Sequence, residues 1–177
     1  MRSCTSARPQ SQLMNELDLI RRQLRSERSR VIEVALACAA PDASPQLRQA
    51  AVDYLVFVLT RFEERDQRLA EQYRGGFPAS DPVQREADEI LSRSGTSREV
   101  LTRLEAALGS AADGATGTHL WGTFSQFVDG PWRSRRDALD ALLERNTRVA
   151  DWRAVSFVDA DSFLEERARY ARVPQAP

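Results

Sequence analysis

The strongest constraint on this chain is a seam of apolar side chains near its start. Leu13, Leu17, Ile20, Leu24, Val31, Val34 and Cys38 follow one another at steps of three and four or a whole heptad, which places all of them on one side of an α-helix. A stripe of this length has to be buried against other helices. Only Glu27 interrupts it. A carboxylate at that position either meets a cationic partner inside the packing interface or lies at the helix edge.

The same periodicity continues along the chain, punctuated by helix signals. Pro41 ends the first helix, and Ser44 followed by Pro45 supplies an N-cap with proline in the first turn of the next. Leu47, Ala51, Tyr54, Leu55, Val58, Phe62 and Leu69 form its apolar face, which predicts a helix to Tyr73, with Gly75-Gly76 suited to a left-handed C-terminal turn. Asp81-Pro82 repeats the start signal for a shorter helix with Val83, Ala87, Ile90 and Leu91 inward. Gly95, then the capping-box spacing of Thr96 and Glu99, predict a break before Val100, Leu101, Leu104 and Leu108 resume the rod. Residues 110–118, rich in Gly, Ala, Ser and Thr, read as the longest loop.

Beyond that loop, Leu120, Trp121, Phe124, Phe127 and Val128 make a helical face, and Gly130-Pro131 predicts a kink before Leu139, Leu142, Leu143 and Val149 continue it. Asp161 caps a final segment, running to Val173, with Phe163, Leu164 and Tyr170 as a short apolar face. Val155-Ser156-Phe157-Val158 alternates briefly, but its apolar residues also fit a helical turn. The fold class predicted is all-α: an up-and-down four-helix bundle with a broken third helix and a short extra C-terminal helix. Residues 13–173 form its single domain, a size sufficient for a real core.

Residues 1–12 read as a disordered leader. They contain Arg2 and Arg8 but no apolar h-region, so no secretory signal is expected. Met14, at the head of the first periodic segment, is an alternative start. No apolar run approaches the roughly 18 residues of a membrane span, and the cytoplasm is the expected compartment. The formal charge of −1 argues against a chain built to neutralise nucleic-acid phosphates. All 25 basic residues are Arg. Genomic base composition accounts for that bias; selection for bidentate recognition of carboxylate or phosphate is the alternative.

Candidate chemistry is sparse. His119 is the single histidine and stands at a helix start, where a surface role is the simplest reading. Cys4 lies in the leader, and Cys38 lies on the packed seam, where a thiol acts as a small hydrophobe. Asp159-Ala160-Asp161-Ser162 with Glu165 and Glu166 superficially resembles a calcium loop, but Leu164 stands where its glycine is required and the final acidic spacing fails, so the run reads as a cap. Glu63 and Glu64 diverge by about 100° around a helix and cannot converge alone. Arg21, Arg25 and Arg28 share one helical stripe, and Arg133, Arg135 and Arg136 crowd the start of the fourth long segment. They either pair with Glu16, Glu27 and Asp137 at three- or four-residue spacing or, if unpaired, form a docking surface for an acidic protein or phosphate-bearing ligand. Phe57, Phe62, Trp121 and Phe124 are either core or the lining of a small apolar ligand site.

The run Ser26-Glu27-Arg28-Ser29-Arg30-Val31-Ile32-Glu33 resembles the first-helix motif of hemerythrin-like (HHE cation-binding) proteins, with its histidine missing. The second and fourth helices of that family resemble His-Phe-x-x-Glu-Glu-x-x-Leu and His-Ile-x-x-Glu-Glu-x-x-Leu, and this chain is similar at Phe62, Asp66 and Leu69, then at Trp132 and Leu139. The resemblance implies ligand positions at Ser29, Arg61, Arg65, Pro131 and Arg135, none of which suits a di-iron pair. A second resemblance, to the Rsd/AlgQ regulators that bind a sigma factor, rests on Asn15-Glu16-Leu17-Asp18 and on Leu55-Val56 and Arg61-Phe62.

The function expected is that of a non-enzymatic bundle without cofactor or metal, acting through a protein partner, with a homodimer possible and Arg21, Arg25 and Arg28 the partner-binding residues. The rival is an iron-binding bundle using Glu27, Glu64 and Asp66 as unusual ligands.

Overall fold

The computed structural model of the chain describes residues 10–92, 102, 105, 115–146 and 160–173, and it is helical throughout, with no strand among those residues. Helix α1 (Gln10–Ala39) begins inside the stretch expected as leader. Helices α2 (Pro45–Gly76) and α3 (Pro82–Ser92) follow. Helix α4 (Ala115–Phe127) passes through a π-helical turn (Val128–Trp132) into α5 (Arg133–Asn146), and α6 (Ala160–Tyr170) is the last. The expected break at Gly95 and Thr96, and the Val155–Val158 run, lie outside the described residues.

The start signals act as the sequence predicts. The Ser44 hydroxyl accepts the Leu47 N–H at 3.0 Å, with Pro45 in the first turn of α2. The Asp81 carboxylate accepts the Val83 N–H at 2.8 Å at the head of α3. Three further boundaries differ. Helix α4 begins at Ala115, inside the stretch 110–118 expected as a loop. Helix α2 runs through both glycines and ends at Phe77, whose backbone is extended (φ −129°), so no left-handed turn is used. Stacking of Phe77 on Tyr73, with centroids 5.5 Å apart, fixes the exit instead. Helix α6 starts at Ala160, which puts Asp161 inside the first turn, where its charge faces the positive end of the helix dipole.

Pro131 is absorbed rather than breaking the rod. Proline has no N–H for the bond an α-helix would require, and the wider turn from Val128 to Trp132 accommodates the missing donor. The Arg133 N–H rejoins the ladder on the carbonyls of Val128 and Gly130. The apolar stripe therefore crosses the turn in phase, with Trp121, Phe124 and Val128 buried before it and Trp132, Leu139, Leu142 and Leu143 after it.

Helix α1 packs on α2, α4 and the π-turn; α2 also packs on α3 and α6, and α3 packs on α5. The seam from Ile20 to Cys38 is buried as its spacing requires. Arg48 ties three helix ends together, its guanidinium donating to the carbonyl oxygens of Cys38 and Ala40 and to the Thr118 hydroxyl at 3.0 Å. It thus satisfies carbonyls that the end of α1 leaves open and complements the negative pole of that helix.

Arg48→Met is expected to cost about 2–3 kcal/mol, the range for lost charge-assisted hydrogen bonds. Ser44→Ala, which removes one neutral cap, is expected to cost about 1 kcal/mol. Urea unfolding of the two variants checks that order, and equal losses would contradict it.

Candidate functional site

Polar side chains occupy the interior in two clusters. The first joins α2 and α5, with α1 at its edge. Asp66 is buried and receives Arg136 in a two-pronged pair, with Nη1 2.5 Å from Oδ1 and Nη2 on the other oxygen. Arg135 approaches the same carboxylate at 3.5 Å. Asp140 accepts Arg65 at 2.8 Å and Arg28 at 3.0 Å, and Arg28 also reaches Asp137 at 2.9 Å. One carboxylate thereby links α1 to α2 through α5.

Aromatic faces complete this cluster. The Arg136 guanidinium lies over Phe62 and Trp132, 5.2 and 5.6 Å from their ring centres, and the two rings meet edge to face. Burial, followed by the neighbouring Arg136, lowers the Arg135 pKa to about 10, against the pull of Asp66 and Glu63. It remains a cation at neutral pH, so the cluster carries permanent positive charge next to its carboxylates.

The second cluster joins α1, α2 and α6. Glu166, with no exposed surface, accepts Arg30 on both oxygens, at 2.8 and 2.6 Å, and the Tyr54 hydroxyl at 2.8 Å. Glu27 is buried beside it and takes Arg61 at 3.4 Å, while Arg61 also donates to the Ser162 hydroxyl. Of the alternatives open for Glu27, the structure gives the buried ion pair. Burial, with Glu166 adding to it, pushes the Glu27 pKa up against the opposing pull of Arg61 and Arg30. Burial and then Glu166 raise Tyr54 far above the ordinary phenol range, so its hydroxyl stays a donor.

The sequence candidates divide between these clusters and the surface. Arg28 is enclosed by Asp137 and Asp140, and Arg21 and Arg25 each approach Glu144 at 3.6 Å. The arginine stripe therefore faces acids on α5, and the condition that it be unpaired is not met. Glu64 is exposed, Glu27 belongs to the second cluster and Asp66 to the first, so the three carboxylates considered for iron do not meet. Among the described residues no three or more His, Cys, Asp and Glu side chains come together as a cation would require.

The positions implied by the hemerythrin-like resemblance also part company. Ser29 and Pro131 are exposed, Arg61 sits by Glu27, and Arg65 and Arg135 are buried in the first cluster. His119 is exposed on α4. Cys38 is buried, and burial pushes its thiol up to about 12, beyond nucleophilic use. Phe62, Trp121 and Phe124 are packed core, whereas Phe57 is half-buried under the guanidinium groups of Arg169 and Arg61. It floors a shallow groove of about 330 Å³ with Val52, Asp53, Val56, Glu105 and Arg169, so the four aromatics do not line one ligand site.

Arg136→Met strands Asp66 with the more distant Arg135 and is expected to cost about 3–5 kcal/mol. Pairing it with Asp66→Leu is expected to recover most of that loss, which a double-mutant cycle by denaturant unfolding measures. Glu27 supplies a pH signature. Its raised pKa makes the folded state bind the proton more readily than the unfolded chain, so its contribution to stability grows as pH falls through the raised value towards 4.5. Wild type should gain stability relative to Glu27→Gln on acidification from about pH 8 to 5. A constant difference between their unfolding curves across that range would refute it.

Comparison with family models, curated proteins and solved structures finds no match to this chain.

Proposed function

We propose that the chain is a non-enzymatic four-helix bundle of hemerythrin-like arrangement without a competent di-iron site, acting in the cytoplasm through protein interaction or regulation. The carrying observation is the buried pair of Arg136 and Asp66. The resemblance aligns the two Glu-Glu positions of such bundles with Arg65-Asp66 and Arg135-Arg136. A metal bundle uses carboxylates there and lets the cation offset their charge. Here guanidinium groups supply the positive charge, and they cannot act as ligands.

The packing pattern supports the arrangement. Helix α1 touches α2, α2 touches α3, α3 touches α5, and the continuous rod of α4, the π-turn and α5 returns to α1. Such contacts are what a ring of four rods requires, and α6 packs on α2 beside it. Buried ion pairs that add little net stability suit a scaffold that needs one defined packing. Partner recognition through Arg21, Arg25 and Arg28 is the weaker half of the earlier expectation, because Asp137, Asp140 and Glu144 already engage them. Arg25 keeps the most exposed side chain of the three, at 61%.

Metal analysis of protein purified from iron-supplemented cells tests this reading. Iron far below one ion per chain and no oxo-bridge absorption in the ultraviolet are expected. Stoichiometric iron with that band would establish the rival, with carboxylates holding the metal in spite of the arginines.

A further inference from the structure

Two arginines of the first cluster keep donors that meet no acceptor among the described residues. Arg65, 2% exposed, directs Nη2 to Asp140 at 2.8 Å, while its Nε and Nη1 are enclosed without a hydrogen-bond partner. Arg136, with no exposed surface, gives both Nη atoms to Asp66, and its Nε is enclosed in the same way. A guanidinium carries five N–H donors and no acceptor, so these positions can be satisfied only by a lone pair brought to them. Buried donors left without one are unfavourable, and native interiors meet them with an ordered water or an ion.

Charge separates those two occupants. The enclosed part of the cluster holds four guanidinium groups, of Arg28, Arg65, Arg135 and Arg136, against three carboxylates, of Glu63, Asp66 and Asp140. The remaining acid, Asp137, reaches Arg28 but is 63% exposed, so solvent screens its contribution. Repulsion between neighbouring cations is already felt inside, since Arg136 adds to the burial that lowers the Arg135 pKa. A water would meet the N–H groups and leave the excess positive charge unchanged. A small anion meets both. Phe62 and Trp132 lie over the Arg136 guanidinium, 5.2 and 5.6 Å away, which leaves the in-plane edges as the place of contact.

We propose that the interface of α2 and α5 holds a buried monovalent anion of chloride size on the free donors of Arg65, beside Arg136. Asp66 and Asp140, paired to these same arginines, disfavour a more highly charged ion there. Arg65 lies on α2 and Arg136 on α5, so only folding brings them together, and the ion stabilises the folded state alone. The site is independent of the reading as an interaction protein: metal content decides that reading, and halide dependence decides this one.

Urea unfolding of the full-length chain in sodium chloride and in sodium gluconate, at one ionic strength, reads the site. Exchanging bulky gluconate for chloride should raise the folded-to-unfolded ratio about fivefold or more. Arg65→Met, which leaves Asp140 still paired with Arg28, should erase the difference between the two salts. Arg133→Ala, at the exposed start of α5, should keep it. Crystals of the wild type grown in sodium bromide give a second measurement if Arg65→Met does not fold, with an anomalous peak within hydrogen-bonding reach of Arg65 as the expected result. Equal stability of the wild type in both salts, or a chloride dependence that survives Arg65→Met, would overturn the proposal. Ordered water beside Arg65 with no bromide signal would overturn it as well, by making water the acceptor.

Discussion

The Arg136–Asp66 pair is the interaction on which the interior depends. An ionised carboxylate with almost no exposed surface is unfavourable by several kcal/mol unless its charge and lone pairs are met. Arg136 meets both with its two-pronged approach, and Phe62 and Trp132 cover the faces of the guanidinium. Those aromatics belong to the same continuous core as Leu69 and Leu139. The ion pair and the apolar packing are therefore one structure: shifting α5 against α2 would open the pair and the ring contacts together.

Helix α1 acts as the ionic spine of the molecule. Arg28 and Arg30 are two residues apart, hence about 200° apart around the axis, and they serve opposite clusters. Arg28 turns to Asp137 and Asp140 on α5, whereas Arg30 turns to Glu166 on α6. Val31, Val34 and Ala35 hold α1 by apolar contact in between. Because arginine stays charged at any pH the fold survives, the positive half of both networks is fixed, and changes in charge fall to the carboxylates. Burial shifts the titration of Glu27 upward, which gives the cluster nearer α6 a pH-sensitive group.

Much of the helical frame was legible in the sequence. The seam from Ile20 to Cys38, the Ser44 and Asp81 caps and the Gly130-Pro131 interruption each have a local cause, and local causes survive in one dimension. Proline at position 131 announced an irregularity, but not that a π-turn would carry the rod through it. The polar clusters were largely missed, because Arg65, Asp66, Arg135, Arg136 and Glu166 resemble a solvated face when charge alone is considered. A signal existed: Arg65 or Asp66 continues the three-and-four spacing from Phe62 to Leu69, and Arg135 or Arg136 continues it from Trp132 to Leu139. Glu27 was noticed for that reason, since it breaks an otherwise apolar stripe. The arginines were noticed as stripes, but their partners lie on other helices, far along the chain, where spacing along one helix does not reach.

The two clusters differ in what can replace their parts. In the first, Asp140 is shared by Arg65 from α2 and Arg28 from α1, so no single helix can leave without disturbing the other two. In the second, the shared acceptor Glu166 lies on α6, while its donors, Arg30 and Tyr54, lie on α1 and α2. Removing α5 would leave cations and carboxylates divided among several rods with no prearranged substitute. Removing α6 leaves a compact group of donors that still requires a carboxylate. That asymmetry follows from which helix carries the acceptor: the first network is shared among three rods, whereas the second converges on one carboxylate of α6.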